Sequence, residues 1–77
     1  MVRGHIEALI FMKNIQVNSE NISCQAENLA DLLTELNYGD AIVATALNGD
    51  FVAQGLRAST PLKDGDRIEI LAPMQGG

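Results

Sequence analysis

The chain has 77 residues, 47% of them apolar, and a net charge of −5, which allows one folded domain with a modest core and argues against disorder. Its basic residues are scattered at Arg3, Lys13, Arg57, Lys63 and Arg67, against a nucleic-acid partner, which needs clustered Lys and Arg; the longest apolar run, residues 8–12, is far too short to span a bilayer. Cys24 stands alone, so no disulfide framework exists and the cysteine usage fits a reducing cytoplasm.

Residues 1–11 stand apart from the rest of the chain. A signal peptide shows a basic start, a longer apolar run and a small-residue cleavage site. Here Arg3 is present, but Glu7 precedes a very short run and no cleavage site is found after it. The expectation is a vector-derived or mis-assigned leader, with Met12 as the native start and His5, the only histidine, outside the working protein.

From Met12 the elements come in order. Ile15 and Val17 alternate on one face of a first strand, and residues 18–21, Asn-Ser-Glu-Asn, carry turn chemistry. Ile22 and Cys24 alternate on a second strand, so the pair is expected to form a hairpin, with Cys24 as a small buried apolar residue. A reactive thiol needs a nearby base or cation, and none is evident locally. Asn28 is a good helix N-cap, and Asp31, three residues on, resembles a capping box. Leu29, Leu32, Leu33 and Leu36 form an apolar stripe at helical spacing, and Gly39, after Asn37-Tyr38, is the expected C-cap.

Residues 41–47 form an apolar-rich run with β-branched Ile42, Val43 and Thr45, expected as a strand buried on both faces or nearly so. Asn48-Gly49 is a strong hairpin signal, and Phe51-Val52 opens a short fourth strand. Residues 54–60 look irregular. Pro61 and the Lys63-Asp64-Gly65-Asp66 stretch form turns before a last strand with Ile68 and Ile70 inward. Two hairpins flanking one helix predict an α+β fold, a mixed sheet of about five strands with the helix across one face. The topological expectation is that the first and last strands pair in parallel at the centre.

Pro73 stops the last strand, lacking the N–H that a ladder needs, and Met74-Gln75-Gly76-Gly77 closes the sequence. Two terminal glycines add nothing to stability. They are either a frayed or cloned end, or a slim arm able to enter a narrow active site where any Cβ would clash. The pattern preceding them favours the arm. The expected organisation is a leader at 1–11, a domain at 12–72 and a flexible tail at 73–77.

The stretches Ile15-Gln16-Val17-Asn18, the leucine helix, Ala46-Leu47-Asn48-Gly49, Leu62-Lys63-Asp64-Gly65-Asp66, Ile68-Glu69-Ile70 and Gln75-Gly76-Gly77, in this order and spacing, resemble the ThiS family of thiamine-biosynthesis sulfur carriers. The chain departs from the family where a basic residue and an aromatic often come after the valine of the fourth strand; those places hold Gln54 and Arg57. The resemblance implies a ubiquitin-like β-grasp acting as a protein co-substrate in the cytoplasm. Gly77 would be adenylated and converted to a thiocarboxylate, with Gly76 and Gln75 as the tail entering the partner's active site. ATP and magnesium would be used by the partner, with no cofactor or metal bound by the carrier itself. The implied partners are an adenylating enzyme similar to ubiquitin-activating enzymes (ThiF type), a thiazole synthase (ThiG type) and sulfur-donor machinery. Alternatives are the small subunit of molybdopterin synthase, whose members tend to have a double proline and a small apolar residue before the glycines, and a ubiquitin-like modifier. An enzyme in its own right is disfavoured, because Ser/His/Asp and metal-ligand constellations are absent from the sequence.

Overall fold

β1 (Lys13–Val17) buries Ile15 and Val17 and leaves Asn14 exposed, the period-two alternation of a half-buried strand. The computed structural model describes residues 12–39 and 41–72; the expected leader and tail, 1–11 and 73–77, lie outside the described residues. β2 (Glu20–Cys24) returns antiparallel, with Val17 facing Glu20 across a two-residue turn. Asn18 and Ser19 both have positive φ, 52° and 72°, the backbone whose twist matches that of a hairpin.

α1 (Leu29–Glu35) begins at Asn28, whose side-chain oxygen accepts the Asp31 N–H at 2.8 Å, satisfying one of the free amides of the first turn. Its end corrects the sequence expectation. The left-handed cap is Asn37, at φ 69°, not Gly39. The Asn37 N–H donates to the Thr34 carbonyl at 3.1 Å and the Tyr38 N–H to that of Leu33 at 2.8 Å, the bond pair of a Schellman motif. Asparagine tolerates this backbone region, so the helix stops without needing the glycine.

β3 (Ala44–Leu47) starts later than the expected residue 41 and is not buried on both faces. Thr45 is buried, Ala44 is exposed and Ile42, ahead of the strand, is 82% exposed. One helix covers one face of a sheet, so alternate residues on the other face stay in water. β4 (Asp50–Val52) comes after the Asn48-Gly49 turn, whose φ values are 51° and 90°. Gln54–Ser59, expected to be irregular, forms a 3₁₀ helix. β5 (Arg67–Leu71) buries Ile68 and Ile70.

Among the described residues the strands form one sheet in the order β2-β1-β5-β3-β4. β1 and β5 run parallel at its centre as expected, and the other neighbours are antiparallel. This is the β-grasp arrangement. Leu29, Leu32 and Leu33 of α1 join Ile15, Val17, Cys24, Val52, Leu62, Ile68 and Ile70 in one core, each large apolar side chain there contributing about 1.5–3 kcal/mol by leaving water.

Candidate functional site: the root of the tail and the open face of the sheet

β5 leads directly to the tail, so what holds its last residues defines where the tail begins. On one side the antiparallel register with β3 continues to the end of the strand, Thr45 facing Ile70 and Ala44 facing Leu71. On the other side the parallel register with β1 stops at Val17 and Ile68, because Asn18 turns the chain away into β2. The Asn18 side chain then takes over from the main chain. Its Nδ2 donates to the Ile70 carbonyl at 3.0 Å, and its Oδ1 accepts the Ile70 N–H at 2.8 Å. The Asn18 N–H itself donates to the Ile68 carbonyl at 2.9 Å.

Asn48 grips the start of the same strand from the β3 side. Its N–H donates to the Arg67 carbonyl at 2.7 Å and its Oδ1 accepts the Arg67 N–H at 2.9 Å. Its Nδ2 donates to the Asp66 carboxylate at 3.0 Å. Both asparagines sit in left-handed turn positions, which this side chain tolerates better than most.

The face of the sheet away from α1 divides in two. Phe51 of β4, Ala46 and Ala44 of β3 and Leu71 of β5 make an apolar half beside the tail root. Ala46 faces Phe51 on one side and Glu69 on the other, and Ala44 faces Leu71. Phe51 is 73% and Leu71 66% exposed. Glu69, Arg67 and Gln16 make the polar half, with Gln16 opposite Arg67. A single exposed apolar side chain is ordinary; here the register gathers several onto one face, where β5 ends.

The residues expected to carry the chemistry, Gly77 with Gly76 and Gln75, lie outside the described residues. Cys24 is 0% exposed and faces Lys13 across the β1–β2 hairpin. Burial pushes its thiol pKa up, and the Glu35 charge adds to this, while the Ala26 backbone hydrogen bond and the Lys13 charge oppose it. Such a thiol is inert at neutral pH. Among the described residues no group of three or more His, Cys, Asp or Glu is placed to hold a metal ion, and no helix is long and apolar enough to cross a membrane.

Arg57 was legible in the sequence only as one of several scattered charges. It is 8% exposed; its Nε donates to the Thr45 hydroxyl at 3.0 Å and its Nη2 to the Val43 carbonyl at 2.7 Å. The Thr45 hydroxyl in turn donates a hydrogen bond to the Val52 carbonyl at 2.8 Å. Arg57 thus ties the 3₁₀ helix to β3 behind the apolar half-face. The one sequence signal was that it stands where the resembling family often has an aromatic, a residue type that is usually buried. The asparagine grips on β5 and the apolar half-face were also missed. Asn18 and Asn48 read only as turn formers, and neither Phe51 nor Leu71 announces its exposure.

Comparison with known proteins agrees with this architecture. The model of the ThiS family matches residues 9–77. The crystal structure of a thiamine biosynthesis protein (ThiS) from Geobacter metallireducens is 35% identical, with a TM-score of 0.70, over 83% of this chain and 99% of that one. The complex of subunits 1 and 2 of molybdopterin-converting factor from Helicobacter pylori 26695 contains a chain 32% identical, with a TM-score of 0.51, over 86% of this chain and 99% of that one. Among curated proteins, the uncharacterized protein ycf40 of Pyropia yezoensis is 34% identical over 65 residues, 83% of this chain and 92% of its own length.

Proposed function

For a chain that belongs to the ThiS family of small sulfur carriers, we propose that Gly77 accepts sulfur as a thiocarboxylate and donates it for thiazole formation in thiamine biosynthesis. The observation that carries this reading is the central strand β5. It is bonded along both sides and ends beside an apolar half-face, so a docked partner receives the tail from a fixed point.

A free carboxylate is a poor electrophile because oxide is a very poor leaving group. In the site of an adenylating enzyme that uses ATP and magnesium, a Gly77 carboxylate oxygen attacks the α-phosphorus and displaces pyrophosphate. The acyl-adenylate now has a good leaving group. A persulfide sulfur from the donor machinery attacks the carbonyl carbon and AMP departs with the C–O bonding electrons, leaving an acyl disulfide. A second thiol attacks the donor-side sulfur, the one not bonded to the carbonyl, and the S–S bond breaks with its electrons on the acyl sulfur, releasing the thiocarboxylate and a disulfide. The thiocarboxylate is ionised at neutral pH and is a soft nucleophile, suited to a thiazole synthase. Gly76 and Gln75 form the narrow approach, since glycine offers the least bulk and the widest backbone range. Phe51, Ala46, Ala44 and Leu71 dock the adenylating partner, with Glu69 and Arg67 at the rim orienting it.

The same carrier chemistry serves molybdopterin synthesis, and the likeness to the molybdopterin-converting factor complex speaks for that second reading. The thiamine role is favoured by the higher TM-score, 0.70 against 0.51, and by Pro73-Met74-Gln75, which lacks a double proline before the glycines. Pyrophosphate release with a cognate activating enzyme tests the site on three chains: wild type, one lacking Gly77 and one with an alanine added after it. The expected result is efficient turnover of the wild type alone, because the other two present their carboxylates one residue short or long. Equal turnover of all three, or none of the wild type, would contradict it.

A further inference from the structure

We infer that Asn18 is a positioning residue for the carrier chemistry: its side-chain amide holds the exit of β5 in register and so sets the point from which the tail reaches a docked partner. The inference rests on the carrier reading above and concerns a residue that reading does not use.

In a parallel ladder the strand beside β5 would continue past Val17 and offer its main chain to Ile70. Here it cannot, because the chain must turn at Asn18 to form β2, and the main-chain register ends at Val17 and Ile68. Both polar main-chain groups of Ile70 face this side. The Asn18 amide supplies what the missing strand would have supplied, a donor at 3.0 Å and an acceptor at 2.8 Å, from a residue 52 positions away in sequence. A primary amide is a peptide group in miniature, with a carbonyl and N–H donors at a fixed angle. Few side chains fit the place. Asp has no donor when ionised, Ser offers one short hydroxyl, and Gln carries its amide one carbon too far. The residue must also sit at φ 52°, a region where Asn is enriched and most other side chains are strained.

The consequence is specific to the end of the strand. Loss of the amide leaves the earlier part of β5 paired with β1 and β3, and it frees one flank of Ile70, the last inward residue before the tail. The tail root then samples more directions, and a smaller fraction of docked complexes presents Gly77 correctly. Chemistry that depends on a placed carboxylate slows in proportion. The docking contacts of Ala46 on β3 and of Phe51 on β4 lie away from the freed flank of Ile70 and keep their places.

The test compares wild type, Asn18→Ala and Asn18→Asp in two measurements, amide hydrogen exchange and steady-state activation by a cognate adenylating enzyme. Removing a hydrogen-bond pair of ordinary strength is expected to speed Ile70 amide exchange about tenfold while leaving Glu69 protected. The kcat for adenylation should fall about tenfold with KM little changed. Asn18→Asp keeps the acceptor and loses the donor, and should fall between the two. A merely structural role moves other quantities: it lowers the melting temperature and, by reducing the folded fraction, raises the apparent KM while kcat at saturation holds. If Asn18→Ala does not fold, Asn18→Asp carries the comparison. A wild-type kcat in the folded variants, with wild-type protein activated normally, overturns this inference alone. Failure of the wild type itself to be activated overturns the carrier reading and this inference with it.

Discussion

Arg57 donates from a site 8% exposed to the Thr45 hydroxyl and the Val43 carbonyl, and the planar fork of the guanidinium is what reaches both at once. Arg57→Ala should therefore lower stability by about 2 kcal/mol, the scale for hydrogen bonds from a charged donor. Arg57→Lys should recover less than half of that loss, since a single ammonium cannot span two separated acceptors. Urea denaturation measures both, and a lysine variant as stable as wild type would show that the fork is not the connecting feature. These contacts were not readable from the local pattern of the sequence. The segment around Arg57 has no hydrophobic period, and its burial comes from a contact with β3 that local pattern does not encode. The inward placing of Ile15, Val17, Ile68 and Ile70 was readable, because alternation along a strand fixes the face of each residue once one face meets a core.

Within elements, the leucine stripe of α1 is the feature the sequence stated most clearly. Leu29 and Leu32 are fully buried and Leu33 nearly so, while Leu36 only packs at the margin of the core. Leu32→Asp should unfold the domain, because an unpaired buried charge costs several kcal/mol against a total stability on the order of 5 kcal/mol. Leu36→Asp should leave a folded protein with a lower melting temperature. Circular dichroism during heating separates the two, and equal effects would mean that the helix faces the sheet differently. The end of the same helix was less legible. Asn37-Tyr38-Gly39 holds two residues that accept a left-handed backbone, and only the carbonyls of Leu33 and Thr34 decide which one caps. The run at 41–47 misled for a related reason. Alanine is small enough for either face, so Ala44 and Ala46 did not disclose that β3 has an open side.

Across the whole molecule, the parallel pairing of β1 with β5 came from the order of elements, since a helical crossover between two hairpins leaves few ways to close a sheet. That order also brings Phe51 and Leu71 to the same face as the tail root, which no local signal revealed. Phe51→Glu should change stability by less than about 0.5 kcal/mol, as expected of an exposed position, and raise the KM for the activating enzyme about tenfold, as loss of a central aromatic anchor does. An unchanged KM would place the docking surface elsewhere. The central claim is that sulfur is carried by Gly77 and not by the thiol of Cys24, and the most direct test is the mass of the loaded protein. After incubation with a cognate activating enzyme, ATP and a sulfur donor, wild type and Cys24→Ala are each digested and their peptides weighed. The account predicts one sulfur in place of one oxygen in the peptide ending at Gly77, in both proteins alike. Sulfur on the peptide containing Cys24, or loading that disappears in a folded Cys24→Ala protein, would contradict it.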